Sequence, residues 1–238
     1  MDLTEKEDVF TDKGGRFIRS AFDLGDKLTE IKAFVFDWDG VFNDGRKGQN
    51  VYSHFSEIDS MGIQMLRFGY FLKNKSLPVV SVITGKQNPS AVSWAKREHL
   101  DVVYLKCVQK QKALLDLCDN YNITPSEVCY VYDDILDVPV AKLTGIRLAV
   151  GRNANPLFLK YLEKNQLVDY ISGCNGAEHA VREFCELLLL LMDKHYEVID
   201  RRASYDQKYQ EYYASRQALR TVLYEYKDDL IKPLRDNE

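Results

Sequence analysis

Asp37 and Asp39 stand two residues apart at the end of a short apolar run, Phe34–Phe36, and Gly40 follows them. The pattern predicts a buried strand that ends where two carboxylates are held close together. Such a pair is costly unless a cation neutralises it, and Mg²⁺ takes oxygen ligands of this kind. A carboxylate also acts as a nucleophile toward phosphorus, and the aspartyl-phosphate it forms then hydrolyses. The pair therefore indicates phosphoryl chemistry.

Further polar groups lie at or just beyond the ends of later apolar runs. They are Thr84-Gly85-Lys86, Lys110, Asp133-Asp134 and Asp137. A lone D-x-D pair or a lone lysine is a weak signal, whereas an ordered set of acids, a hydroxyl and a lysine at successive strand ends is a strong one. Because ligands of open α/β sheets bind beyond the carboxyl ends of the strands, we expect these groups to converge on one edge of one sheet.

Apolar runs and helical patterns alternate between residue 31 and about residue 172. Five runs predict strands buried on both faces, as in a parallel sheet: Ala33–Phe36, Val79–Ile83, Val102–Leu105, Val128–Tyr132 and Arg147–Val150. The helical patterns between them cover Ile63–Lys73, Pro89–Glu98, Lys110–Tyr121 and Val138–Leu143. This alternation predicts an α/β fold with a doubly wound parallel sheet and right-handed crossovers.

The two ends of the chain differ from this core. Ala177–Lys194 predicts an amphipathic helix, and Glu197–Lys232 predicts a second, longer helical stretch. The second carries a tyrosine stripe that needs a surface, either its own domain or a sister subunit, or else a partner protein: Tyr205, Tyr209, Tyr212 and Tyr213. We predict an N-terminal helical appendage (1–30), a core (31–192) and a C-terminal helical extension (193–238).

Composition narrows the class of protein. The 238 residues are 45% hydrophobic and 29% charged, unlike a disordered chain, and the net charge of −4 implies no general affinity for nucleic acid or anionic membranes. The N-terminus has no apolar signal core, and the longest apolar run, Leu187–Met192, is too short to span a bilayer. Five cysteines without C-x-x-C spacing predict reduced thiols. We expect a cytoplasmic protein that binds neither nucleic acid nor membrane.

The ordered set of polar groups resembles the pattern of the haloacid dehalogenase-like (HAD) phosphohydrolases. That pattern is D-x-D-x-[TV], then Thr or Ser, then Lys, then a pair of acids; here it reads Asp37-Trp38-Asp39-Gly40-Val41, Thr84, Lys110 and Asp133-Asp134. Within that superfamily, residues 31–192 are similar to the 3-deoxy-D-manno-octulosonate (KDO) 8-phosphate phosphatases, with echoes at Ile83-Thr84-Gly85-Lys86 and at 176–183. The resemblance implies a Mg²⁺-dependent phosphatase with a Rossmann-like core.

Catalytic and substrate-binding roles follow from the chemistry together with the resemblance. Asp37 is expected to be the nucleophile, and Asp39 to protonate the leaving alkoxide and later deprotonate the attacking water. We expect Thr84 to donate a hydrogen bond to a phosphoryl oxygen and Lys110 to balance the negative charge. Gly85 and Lys86 complete the predicted substrate-binding set. Lys106 and Lys112 lie near Lys110, which we prefer because it stands fifteen residues before Pro125, the spacing that the family resemblance implies.

The resemblance also implies a set of metal ligands. Mg²⁺ is expected at Asp37, the main-chain carbonyl of Asp39 and Asp133, with Asp134 or Asp137 oriented around it. The alternative for Asp134 and Asp137 is a helix N-cap and a first-turn acid that interacts with the helix dipole.

Short spacings exclude a folded cap domain over the predicted site. Only 44 residues separate Asp39 from Thr84, and 25 separate Thr84 from Lys110. In the resembled family a β-hairpin after the first strand builds a tetramer whose subunits complete each other's sites. We place that hairpin at Gly45–Asp59, with residues 51–55 as one arm, and so expect a homotetramer.

The substrate implied by the resemblance is a phosphorylated sugar acid, either KDO 8-phosphate or a nonulosonic acid 9-phosphate. Departures from the family pattern concern recognition parts rather than the reaction: Asp59-Ser60 after the hairpin, Lys86 where Arg is common, and Tyr132 before the acidic pair. Two alternatives stay open. One is a phosphatase for another small phosphomonoester, such as a sugar or nucleotide phosphate. The other is an interaction protein that kept the fold and uses its C-terminal helix.

Overall fold

The computed structural model describes residues 3–48 and 53–234. Within these ranges nine strands form one sheet in the order β1-β7-β6-β5-β2-β3-β4-β8-β9. Seven of them, β7 to β8 in that order, run parallel, and the two outermost are antiparallel to their neighbours. Their bounds are β1 Arg16–Phe17, β2 Ala33–Phe36, β3 Val79–Ile83, β4 Val102–Leu105, β5 Val128–Tyr132, β6 Ile146–Ala149, β7 Tyr170–Ile171, β8 Val222–Lys227 and β9 Leu230–Pro233.

Helices cover both faces of the sheet. Their bounds are α1 Leu3–Thr11, α2 Ala21–Leu28, α3 Glu57–Asn74, α4 Pro89–Glu98, α5 Lys110–Tyr121, α6 Val138–Ala141, α7 Pro156–Lys164, α8 Ala180–Leu191, α9 His195–Ser204 and α10 Gln207–Gln217. Phe34 and Phe36 of β2 join one hydrophobic core with α3 and α8, whereas Ala33 and Val35 join a second core with α5 and α7. This alternation is the two-residue period of a strand buried on both faces.

The predicted fold class is confirmed. Four predicted strands have the observed bounds, and the fifth begins and ends one residue earlier, at Ile146–Ala149. In the described residues the chain between β2 and β3 contains α3 and an irregular segment, so no cap domain is inserted there. The short elements β1, β7 and α7 were not predicted. No helix in the described ranges has the length and apolar character needed to cross a bilayer.

The predicted long helix Glu197–Lys232 is wrong in two respects: it is interrupted at Tyr205, between α9 and α10, and its last third is not helical. α10 ends at Gln217, and Val222–Lys227 and Leu230–Pro233 form a hairpin that extends the sheet beyond β4. Alternating β-branched and aromatic residues favour a strand there. Asp228 and Asp229 form its two-residue turn with φ of 53° and 65°, and positive φ at both positions matches the twist of the flanking strands.

Two of the four tyrosines of the stripe pack on their own chain, whereas Tyr205 and Tyr213 are exposed. Tyr209 and Tyr212 are buried, and the Tyr212 hydroxyl donates to the Gln64 carbonyl of α3 at 2.9 Å. The Tyr212 ring lies 5.0 Å, centroid to centroid, from the ring of Phe68. The division of the chain at residues 30/31 and 192/193 stays a prediction.

The predicted hairpin at Gly45–Asp59 lies partly outside the described residues, because 49–52 are not among them. Of the rest, Glu57–Asp59 already belong to α3, which Ser56 caps by accepting a hydrogen bond from the Ile58 amide. The described residues 53–56 are irregular.

Asp169 ties the N-terminal segment to the end of the sheet. Its carboxylate accepts hydrogen bonds from Arg19 Nε at 2.7 Å and from Arg147 Nη2 at 2.8 Å, and it is almost fully buried. Burial alone raises the pKa of Asp169, but the hydrogen bonds and charges of Arg147 and Arg19 outweigh it and hold that pKa below its ordinary value.

We expect Asp169→Asn to lower the free energy of unfolding by about 3 kcal/mol near neutral pH, since it leaves the largely buried guanidinium of Arg147, whose side chain is 13% exposed, without its counter-charge. A lowered folded-state pKa stabilises the protein above the unfolded value, about 3.9. That contribution disappears as pH falls through the folded-state pKa. Denaturant titrations should therefore show the gap between wild type and variant closing in acid, with exposed Asp26→Asn as a neutral control. A gap that is constant with pH would contradict this account.

Candidate active site

Asp37 lies directly after β2 and is buried beside two other charged residues. Its amide donates to the Val131 carbonyl of β5 at 2.9 Å, which continues the strand pairing and fixes the start of the loop. Lys110 Nζ lies 2.8 Å from Asp37 Oδ1 and 2.6 Å from Asp137 Oδ1. The Tyr130 hydroxyl donates to the same Asp137 oxygen at 2.5 Å. One ammonium group therefore bridges two buried carboxylates.

The position of Lys110 follows from the pattern of α5. It precedes Ala113 and Leu114 by three and four residues on the buried face of that helix, so its side chain is drawn inward and is only 3% exposed. Lys106 and Lys112 instead form ion pairs with Glu225 and with Asp229, away from the carboxylate cluster. The lysine that contacts Asp37 is thus Lys110.

The buried carboxylates of Asp37 and Asp133 have raised pKa values, which favours binding of a cation. Burial raises the pKa of Asp37 well above its ordinary value, although Lys110 acts to lower it. Burial acts to lower the pKa of Lys110, but the charges and hydrogen bonds of Asp37 and Asp137 outweigh burial and raise that pKa above its ordinary value. The lysine therefore stays charged. Burial and the nearby Asp137 raise the pKa of Asp133 to about 6. A further positive charge close to these carboxylates would favour the ionised forms of both Asp37 and Asp133.

Asp39 lies at the edge of the pocket and is held by three side chains. Lys47 Nζ and Ser53 Oγ each contact its Oδ1 at 2.6 Å, and Asn88 Nδ2 donates to its Oδ2 at 2.9 Å. Burial acts to raise the pKa of Asp39, but these hydrogen bonds, that of Lys47 foremost, hold it below its ordinary value. These three contacts therefore hold the Asp39 carboxylate in one orientation.

Thr84 and Asn88 join β3 and α4 to the same site. Thr84 is fully buried after β3, and its Oγ1 accepts a hydrogen bond from Asn88 Nδ2 at 2.6 Å. Asn88 occupies the N-cap position of α4 but makes no capping bond with its side chain, which is directed to Thr84 and Asp39 instead. Gly85 and exposed Lys86 line the pocket, which has a volume of about 660 Å³.

The two acids of the Asp133-Asp134 pair make different contacts. Asp133 Oδ2 lies 2.8 Å from Arg152 Nη2. Asp134 is exposed and caps the turn at 135–137, accepting a hydrogen bond from the Ile135 amide at 2.7 Å. The carboxylate group that could hold a metal contains Asp37, Asp133 and Asp137, whose oxygen atoms lie within 4.8 Å of one another.

Gly40 makes this approach of loops possible. Its φ is 86°, and a Cβ atom there would lie 2.0 Å from Asp133 Oδ2. Both its conformation and its surroundings therefore require glycine. The D-x-D-G turn thus brings Asp39 and Asp133 to the same edge of the sheet.

The donor set fits a divalent cation. Lys110 contacts Oδ1 of Asp37 and Arg152 contacts Oδ2 of Asp133, which leaves one oxygen of each carboxylate outside these ion pairs. Carboxylate oxygens are the hard donors that Mg²⁺ prefers. Both oxygens of Asp137 already accept hydrogen bonds, Oδ1 from Lys110 and Tyr130 and Oδ2 from the Asp134 amide at 3.4 Å. Asp37 and Asp133 are therefore the acids of the cluster that could hold such an ion.

Sequence reasoning missed four side chains of this site: Lys47, Ser53, Asn88 and Arg152. None belongs to the D-x-D, Thr, Lys or paired-acid pattern, and Lys47 and Ser53 lie in an irregular segment. Only the N-cap position of Asn88, directly before Pro89, was visible in the sequence as a helix start.

No family model matches this chain. It is 31% identical over 175 residues to the 3-deoxy-D-manno-octulosonate 8-phosphate phosphatase of Salmonella typhi, covering 71% of this chain and 84% of the relative. The enzyme of that name from Moraxella catarrhalis, solved with magnesium, phosphate and KDO, is 25% identical, with a TM-score of 0.63 over 77% of this chain and 98% of the other. The cobalt-bound octulosonate 8-phosphate phosphatase of Haemophilus influenzae is also 25% identical, with a TM-score of 0.60 over 71% and 93%.

Asp133→Asn and Asp134→Asn form a matched pair for locating the metal. We expect Asp133→Asn to weaken Mg²⁺ binding at least tenfold in calorimetric titration of the full chain, because it removes a charged oxygen ligand from the cluster. Asp134→Asn should change the dissociation constant less than twofold, since its side chain caps a turn and asparagine caps as well. Equal losses in the two variants would contradict the assignment.

Proposed function

The chain belongs to the family of 3-deoxy-D-manno-octulosonate 8-phosphate phosphatases in the HAD superfamily, and we propose that it hydrolyses a phosphorylated sugar acid with Mg²⁺ as cofactor. It is a phosphatase, a phosphoric monoester hydrolase. One observation carries the proposal: a buried carboxylate, Asp37, stands at a strand end between Lys110 and Asp133 in a pocket large enough for a small substrate. We propose KDO 8-phosphate or a nonulosonic acid 9-phosphate as the substrate.

The first half of the proposed reaction is attack by Asp37 on phosphorus, which breaks the bond to the sugar oxygen and leaves an aspartyl-phosphate. Asp39 supplies the proton that the leaving alkoxide needs. Hydrogen bonds from Lys47 and Ser53 favour the ionised form of Asp39, so the Lys47 contact has to loosen as the ester binds. The buried Thr84 hydroxyl donates to a phosphoryl oxygen, and Lys110 balances the charge that develops.

The second half uses Asp39 in its ionised form. It takes a proton from the water that attacks the aspartyl-phosphate, which releases phosphate and restores Asp37. When bound, Mg²⁺ supplies positive charge for the phosphoryl oxygens and for the two carboxylates whose pKa values burial raises. Asp37, Asp133 and the Asp39 carbonyl would hold it. Gly85 and Lys86 line the entrance, where the proposal assigns them to substrate binding.

The interaction-protein alternative has little support. That alternative requires the tyrosine stripe to bind a partner protein, but Tyr209 and Tyr212 are buried against the chain's own α3. A phosphatase for a different small phosphomonoester is the second candidate, and the position of Lys86 at the entrance favours no particular leaving group. We also propose the cytoplasm as the location, since the five cysteines are free thiols.

A phosphate-release screen of the full chain with Mg²⁺ tests the proposal. We expect turnover of KDO 8-phosphate or a nonulosonic acid 9-phosphate at a kcat/KM at least tenfold above that of other sugar phosphates and nucleotides. Asp37→Asn should lose activity by at least a thousandfold, because an amide is a poor nucleophile, and acid-quenched wild type should carry phosphate by intact mass. Exposed Asp119→Asn is the control. A wild type without activity on any phosphomonoester, or an active Asp37→Asn, would overturn the proposal.

We propose a homotetramer, as the family resemblance implies and as a capless, open pocket favours. Sedimentation equilibrium of the full chain should give four chain masses at assay concentrations. Activity per chain should fall on dilution below the dissociation range, because a neighbouring subunit would then no longer close the site. A monomer whose specific activity is independent of concentration contradicts this proposal and leaves the phosphatase proposal untouched.

A further inference from the structure

Arg152 is a charged residue of the active-site pocket that the proposed reaction does not use. It lies three residues beyond β6, and its Nη2 donates to Asp133 Oδ2 at 2.8 Å and to the Gly40 carbonyl at 3.1 Å. Its side chain is 29% exposed and lines the same pocket as Asp37, Asp39 and Lys110. The guanidinium is therefore fixed at one nitrogen and accessible elsewhere.

The rest of the Arg152 guanidinium is available to a ligand. Both of its hydrogen bonds involve Nη2, and within residues 3–48 and 53–234 its Nε and Nη1 donate none. Arginine presents its donors in a planar fork that matches a carboxylate or a phosphate. An arginine with one nitrogen held by the protein and the others facing a pocket is preorganised to bind an anion.

A second, polar pocket adjoins the first at Arg152. It has a volume of about 300 Å³, and Arg16, Asn153 and Ser172 are among the residues that line it. Arg16 is ion-paired with Glu163 at 2.8 Å, so its charge is already balanced. Arg152 thus lines both the catalytic pocket and this polar recess.

We propose that Arg152 binds the carboxylate of the substrate and selects sugar acids over neutral sugars. This inference rests on the proposed function, because it deepens the specificity of that same site. The transferred phosphoryl group has its own cation, Lys110, which contacts Asp37 and Asp137. Arg152 contacts a different carboxylate, that of Asp133, and opens toward the polar recess. The anion it receives is therefore the second charge of the substrate.

A competing role for Arg152 is to hold Asp133 in place. In that case its loss would disturb the cluster for every substrate alike, and Mg²⁺ binding would change as well. The two roles differ in what they predict for substrates with and without a carboxylate. A comparison of two phosphate esters therefore separates them.

The test measures kcat and KM of the full chain with KDO 8-phosphate and with D-mannose 6-phosphate, which has no carboxylate. We expect Arg152→Gln to lower the ratio of kcat/KM for the sugar acid to that for the neutral sugar at least tenfold, mainly through a higher KM for the acid. Arg152→Lys keeps the charge but not the fork, so its ratio should fall between those of Arg152→Gln and wild type. Arg220→Gln, at an exposed arginine before β8 that lines neither pocket, is the matched control and should leave the ratio within twofold of wild type.

Equal losses on both esters in Arg152→Gln, with a changed Mg²⁺ dissociation constant in calorimetry, would overturn the inference and assign Arg152 to positioning Asp133. A wild type that hydrolyses both esters with the same kcat/KM would also overturn it, while the phosphatase proposal would stand. A wild type inactive on both esters and on p-nitrophenyl phosphate would instead be a failure of the proposed function. Thermal unfolding of each variant distinguishes a loss of binding from a loss of fold.

Discussion

Buried carboxylates crowded at one edge of a sheet are the constraint on which the rest of the structure depends. Asp37, Asp133 and Asp137 bring their oxygens within 4.8 Å of one another. Burial, together with the neighbouring carboxylates, raises the pKa values of Asp37 and Asp133. Lys110 balances part of that charge at Asp37 and Asp137, and Arg152 balances part of it at Asp133. The remainder calls for a divalent cation and a substrate that reacts beside one. The free-energy cost of burying these carboxylates together thus favours a site that binds a cation and the substrate that reacts beside it.

The fold holds this cluster through strand register. Phe36 of β2 is aligned with Val82 of β3 and Val131 of β5, so the residues that follow these strands emerge at the same edge. Gly40 then lets the first loop approach Asp133 more closely than any side chain would allow. The hairpin of β8 and β9 covers the far edge of β4, where a shorter sheet would end. A site built on strand ends therefore depends on the length and order of the whole sheet.

The entrance of the site is less constrained than its floor. Asp39 is oriented by Lys47 and Ser53 from an irregular segment and by Asn88 from the start of α4. No cap domain lies between β2 and β3 in the described residues. Side chains at the pocket, such as Arg152 and Lys86, and the neighbouring subunit proposed above would therefore select among leaving groups. The reaction and the choice of substrate are therefore determined by different parts of the molecule. This separation is why the family resemblance predicted the reaction more firmly than the substrate.

The sequence by itself determined the α/β fold, four strand bounds, and the convergence of Asp37, Thr84, Lys110 and Asp133, because apolar runs and strand-end polar groups are local signals. It failed for the C-terminal hairpin, where a charged, tyrosine-rich stretch continues the preceding helical pattern although the alternation in Val222–Lys227 favours a strand, and where pairing with β4 completes the selection of the strand. Tertiary structure also decided which acid joins the cluster, since Asp134 caps a turn while Asp137 faces Lys110. Arg152 reaches the site through contacts with residues 19 and 112 positions away in the sequence. Asn88 contacts a residue 49 positions away, and Lys47 lies in a loop without periodicity. Such contacts depend on how the loops pack, which no local pattern records.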